Sequence, residues 1–297
     1  MRTGWVALVI GLLVSISAQS QAQARIEKNV VVGMYSGLAL LMDVHRPERP
    51  NGYGIVHIAG SGWSRPLGYN AALLSQNQLN GYVTRLVADG YTVFTLNHRA
   101  TPRFQFPGPL EDVQRAVRFV RYNARDYGIS PERIGAVGGS SGGHLVLMLG
   151  MLDGQGEPSD PDPVNRVSAK VQTVVARAAP ADLGRIDTEV KTRLALLMGA
   201  VPSQDAKSID GRLYWNASPI NFITSDDPPV LLLHGDADEN VPFEQAGLMS
   251  ESLKAVGVAS AVIRVPGGGH GPEFPGATNA PDYLGGMIDW FNRYLKK

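Results

Sequence analysis

The chain has 297 residues, with 27 basic against 27 acidic side chains, a formal net charge of zero and no cysteine. That length accommodates one full-sized catalytic domain without disulfide support. The balanced charge, with no basic tail or stripe, excludes the footprint of a nucleic-acid binder, and 18% charged residues with 34 glycines describe a folded chain rich in tight turns.

At the start, Arg2 precedes an apolar run from Trp5 to Ile16, followed by polar and small residues ending in Ala22-Gln23-Ala24. A positive start, a short apolar middle and an A-x-A end describe a secretory signal peptide over residues 1–24. The apolar run falls short of the ~20 residues that span a bilayer, so no stable membrane anchor is expected. The reading places the mature protein at residues 25–297, in the periplasm or outside the cell.

Next come Asn29–Gly33 and Leu38–Val44, joined by Tyr35-Ser36-Gly37, which read as a strand pair linked by a turn. Gly54–Ala59, Thr92–Asn97, Ile134–Val137, Val171–Ala178, Val230–His234 and Ala261–Val265 are further strands. Several are apolar throughout, as strands covered on both faces should be. Between them, Leu110–Tyr127 carries apolar residues at three- and four-residue steps, opened by Pro109 and closed by Gly128. Phe243–Ala255 and Tyr283–Leu295 are also expected helices. Strands alternating with helices imply an α/β architecture: a mostly parallel central sheet of about eight strands with helices on both faces. Asp153–Pro163 reads as a surface loop, and residues 187–223 leave room for a small cap insertion.

Directly after the strand at Ile134, Gly139-Ser140-Ser141-Gly142-Gly143 forms a G-x-S-x-G pattern with Ser141 at its centre, and the apolar segment His144–Leu152 follows. Strand, glycine-flanked serine and helix together are the context of a nucleophile elbow. A serine hydroxyl needs a base to take its proton and a third group to hold that base. The strand Val230–His234 runs into Gly235-Asp236-Ala237-Asp238, which offers Asp238 as the acid and leaves Asp236 to the turn. His270, within Gly267-Gly268-Gly269-His270-Gly271, offers the base. The strand Gly54–Ala59 leads into Gly60-Ser61-Gly62-Trp63, where the amides of Ser61 and Gly62, with that of Gly142, are expected to cradle an oxyanion. His45, His57, His98, His144 and His234 read as structural, His234 orienting the acid loop. Trp63, Tyr69, Trp215 and Phe222 are candidate pocket aromatics, with Trp63 and Trp215 taken as substrate contacts.

Three stretches together resemble the esterase/lipase branch of the α/β-hydrolases, feruloyl- and acetyl-esterase-like enzymes included. They are Gly139–Leu145, His234–Pro242 and Gly269-His270-Gly271, with Ala217-Ser218-Pro219 and Asp227-Pro228-Pro229 ahead of the acid strand. The resemblance spans residues 43–295 and implies the α/β-hydrolase fold, a Ser141-His270-Asp238 triad and hydrolysis of short-chain or carbohydrate-linked esters through an acyl-enzyme. Relatives often read His-Gly-Gly-Gly-Trp where this chain reads Ala59-Gly60-Ser61-Gly62-Trp63. The expected partner is an ester substrate, with no metal, organic cofactor or nucleic acid. A peptidase or amidase on the same scaffold, and a non-catalytic binding protein, are the rival readings.

Overall fold

The computed structural model describes residues 25–68, 81–205 and 207–296. The expected leader over residues 1–24 and the candidate aromatic Tyr69 lie outside them. The strands are β1 (Arg25–Tyr35), β2 (Leu38–Arg46), β3 (Gly54–Ile58), β4 (Thr92–Leu96), β5 (Ile134–Gly139), β6 (Thr173–Arg177), β7 (Val230–Gly235) and β8 (Ser260–Val265). They form one sheet in the order β1-β2-β4-β3-β5-β6-β7-β8. β1 pairs with β2, and β2 with β4, in antiparallel fashion; every other neighbour is parallel.

Alternation along the parallel strands divides the core between two faces. On β7, Val230 and Leu232 join one buried layer and Leu231 and Leu233 the other. The first layer is completed by residues of helices α2 (Gly108–Tyr122), α3 (Ser141–Met151) and α6 (Glu244–Ala255). The second is closed by α1 (Gly81–Ala88) and α7 (Tyr283–Leu295). All eleven residues of α3 are buried, as an apolar helix without a polar face must be. None of the helices among the described residues is long and apolar enough to cross a membrane.

The expected helix Leu110–Tyr127 is corrected at both ends. It opens two residues earlier and stops at Tyr122. There the Asn123 side-chain amide donates to the Phe119 carbonyl at 2.8 Å, and tight turns carry the chain to Gly128. Ala124 and Tyr127 stay buried through those turns, which extends the apolar spacing past the true end of the helix. Residues 187–223 hold α4 (Val190–Met198), α5 (Ile209–Asn216) and a short 3-10 turn, Pro219–Phe222. Parallel strands and crossover helices leave the carboxyl ends of β3, β5, β6, β7 and β8 at one rim, where a doubly wound sheet places its chemistry.

Candidate active site

At the end of β5 the chain turns into α3 through Ser140, whose φ of 53° and ψ of −124° lie where side chains are seldom found. Neighbouring backbone imposes that conformation. A Cβ at Gly138 would collide with the Gly142 carbonyl, and one at Gly142 with the Ile58 carbonyl. Glycine is therefore required on either side, at the spacing G-x-S-x-G centred on Ser140. Ser140 N–H donates to the Arg177 carbonyl at 2.8 Å, which locks the turn against β6.

The imidazole of His270 meets this serine. His270 Nε2 stands 2.9 Å from Ser140 Oγ, and Nδ1 stands 2.8 Å from Asp238 Oδ2. With Nδ1–H donated to the carboxylate, Nε2 is left to accept the serine proton. Asp238 is buried in the loop after β7, and its Oδ1 accepts the amides of Asn240 and Val241 at 3.0 and 2.9 Å. Burial alone would raise its pKa. Hydrogen bonds from His234 and His270 and from the Val241 amide outweigh that, holding the carboxyl well below the usual range. His234 is itself fixed by the Val241 carbonyl at 2.9 Å, with Asp238 Oδ2 3.5 Å away. Asp236 ties the acid loop to the histidine loop: its carboxylate accepts the Gly267 amide and the Arg264 side chain, each at 2.7 Å.

Ser141, the expected nucleophile, is corrected by this geometry. It is fully buried as the first residue of α3, and its Oγ accepts the Ser61 amide at 2.9 Å. The run Gly138-Gly139-Ser140-Ser141-Gly142-Gly143 contains two overlapping G-x-S-x-G frames, centred on Ser140 and on Ser141. The end of β5 at Gly139 selects the first, because the elbow serine must be the residue that leaves the strand.

The oxyanion expectation shifts with it. The residue after the elbow serine is Ser141 rather than Gly142, so the amide of Ser141 takes the place expected of Gly142. The Ser61 amide is engaged by Ser141 Oγ, whereas Gly62 faces the cavity beside Ser140 with a positive φ of 62°. Trp63 borders the cavity but is 2% exposed. Its indole N–H donates to His144 Nδ1 at 3.1 Å, and His144 Nε2–H donates to the Ala217 carbonyl at 2.7 Å. This chain of bonds places His144 in the structural role expected of it. Trp215 is corrected: it packs on Phe222 and lines a different hollow, beside Asp182 and Tyr214.

Ser140 and His270 open into a cavity of about 350 Å³ that also takes in Gly60–Trp63, Arg177, Pro180, Asn240 and the start of α4. A larger cavity of about 630 Å³, bordered by Leu38–Leu41 and Asn97–Thr101, contains none of the three triad residues. Sequence reading missed Arg177, Glu189 and Arg193 in the catalytic cavity. Arg177 ends a strand recognised for its apolar run, and the other two sit in the segment read only as a cap.

Sheet order, elbow and the serine–histidine–aspartate line together define an α/β-hydrolase. The model of the BD-FAE family matches residues 42–253, and the chain belongs to that family. It is 28% identical over 253 residues to esterase LipC of Mycobacterium tuberculosis, which covers 82% of this chain and 60% of that protein. Against the probable carboxylic ester hydrolase LipM of the same bacterium it is 27% identical over 213 residues, 71% of this chain and 46% of that protein. The chain thus spans about half the length of these curated relatives. Among solved structures it is similar to a truncated carbohydrate esterase from gut microbiota, with a TM-score of 0.77, 28% identity, and coverage of 94% of this chain and 99% of that one. An acetyl ester-xyloside bifunctional hydrolase from Caldicellulosiruptor lactoaceticus gives a TM-score of 0.73 at 25% identity, covering 90% and 94%.

Proposed function

We propose that the protein is a serine esterase that cleaves carboxylic esters, carbohydrate-linked acyl groups among them, through an acyl-enzyme on Ser140. The observation that carries this is the unbroken line from Ser140 Oγ to His270 to Asp238, at 2.9 and 2.8 Å. Neutral His270 takes the hydroxyl proton as Ser140 Oγ attacks the ester carbonyl. Asp238 holds the imidazole in the right tautomer and balances the positive charge that forms. Amides of Ser141 and Gly62 receive the oxyanion, each preorganised donor contributing a few kcal/mol in such sites. His270 then passes its proton to the departing alcohol. Water, deprotonated by the same imidazole, attacks the acyl carbonyl, and the acid leaves as Ser140 recovers its proton.

Residues 187–223 serve as a cap in this reading, supported by Glu189, Val190 and Arg193 in the cavity wall. Thr188 Oγ1 donates to the Asn240 carbonyl at 2.6 Å, which ties the cap to the acid loop. The similarity to esterases, and to carbohydrate-ester hydrolases among solved structures, supports ester and carbohydrate substrates. Export rests on the leader pattern over residues 1–24, and a processed chain beginning near Arg25 is its test. For the chemistry, hydrolysis of 4-nitrophenyl acetate is measured for Ser140→Ala. The expected loss is at least about 10⁴-fold, the scale set by removing an activated nucleophile. Retained turnover would reject the mechanism.

A further inference from the structure

Arg177, at the end of β6, is 3% exposed, and no carboxylate among the described residues forms an ion pair with it. Its Nη1 donates to the Gly271 carbonyl, the guanidinium lies against Gly139 of the elbow, and Phe274 lies 5.8 Å below. Asp238, a carboxylate whose charge acts on it, is already committed to His270 and two amides. A buried charge without a counter-ion is costly. What surface Arg177 retains lines the cavity beside Ser140. In the same cavity wall Arg193 of α4 lies over Gly62, again with no ion pair among the described residues; Glu189, one turn earlier, is the only carboxylate of the wall among the described residues.

Two guanidinium groups with no ion pair among the described residues therefore line the cavity that holds Ser140, one buried, the other exposed on the cap. Accepting the esterase reading of this cavity, we propose that Arg177 and Arg193 select esters bearing a carboxylate close to the scissile bond. An arginine fork matches a carboxylate in geometry as well as in charge. A uronic acid acylated on a ring hydroxyl has this chemistry on its alcohol half, and a dicarboxylic half-ester has it on its acyl half.

Purified protein is assayed with two matched pairs. For the acyl half, mono-4-nitrophenyl glutarate is compared with its methyl ester, followed by nitrophenolate release. For the alcohol half, 3-acetoxybenzoate is compared with 3-acetoxybenzamide, followed by acetate release. Turnover of neutral 4-nitrophenyl acetate tests the esterase reading separately. In one pair the anion is expected to have a kcat/KM higher by about tenfold or more, the worth of one charge-assisted hydrogen bond. Arg193→Glu and Arg177→Met should each abolish that ratio, which a role confined to holding the loop would leave intact. If Arg177→Met does not fold, the wild-type ratio and Arg193→Glu decide. Equal rates within both pairs, or a preference that survives either substitution in folded protein, would overturn the proposal while leaving ester hydrolysis standing.

Discussion

Three buried histidines set the acid limit of this fold. His57, His98 and His144 lie at 4%, 3% and 0% exposure, and desolvation drives each from the ordinary value near 6.5 down to about 4. For His57, the neighbouring positive charges of His45 and Arg177 push the same way; for His98 and His144, backbone carbonyl bonds oppose only part of the effect. A folded-state pKa below the unfolded one means that the unfolded chain binds more protons between pH 6.5 and 4. The contribution of these three histidines to stability therefore falls as pH drops through that window and levels off below it. At pH 5 each such histidine costs about 2 kcal/mol relative to pH 7.5, or about 6 kcal/mol for the three. Set against a total of 5–15 kcal/mol for typical domains, that loss is large. Urea unfolding followed by tryptophan fluorescence at pH 7.5 and pH 5.0 measures it. With a slope of about 3 kcal/mol/M, the midpoint should fall by about 2 M. His98→Gln should remove about a third of the pH-dependent loss, because one of the three titrating groups is gone. A midpoint that is unchanged or higher at pH 5.0 would refute the reasoning.

Other substitutions probe the site directly. Asp238→Asn should lower kcat by about 10⁴-fold with little change in fold, since the amide no longer fixes the imidazole tautomer; steady-state kinetics beside circular dichroism checks both. Ser141→Ala removes the acceptor of the Ser61 amide, so stability should fall by about 1–3 kcal/mol while nitrophenyl ester turnover persists. Gly142→Ala would drive a methyl group into the Ile58 and Ala59 carbonyls, and the thermal midpoint should drop with a loss of at least about 1–3 kcal/mol.

Much of this molecule is legible in its amino-acid sequence. The apolar runs at Val230–His234 and Ile134–Val137 mark strands because both faces of the sheet are covered, and Asp238 and His270 stand out because each sits in the loop after a strand, β7 and β8, with glycines on both sides of His270. The serine that meets His270 lies one residue before the expected one for a physical reason. Two adjacent serines between paired glycines satisfy the same pattern twice, and it takes the end of β5, the backbone at Ser140 and the reach of His270 to distinguish them. Aromatic residues misled in another way, since an indole is as suited to packing on Phe222, as Trp215 does, as to holding substrate. Arg177 left no local signal: its significance lies in missing counter-charges, and those depend on which distant loops surround the strand end.

Covalent trapping of the nucleophile tests the central claim most directly. A fluorophosphonate is incubated with the folded protein, and fragment-ion mass spectrometry of the peptide spanning Gly138–Gly143 locates the adduct. Modification at Ser140, blocked by Ser140→Ala and retained in Ser141→Ala, is the predicted result. An adduct on Ser141, or none on either serine, would contradict it.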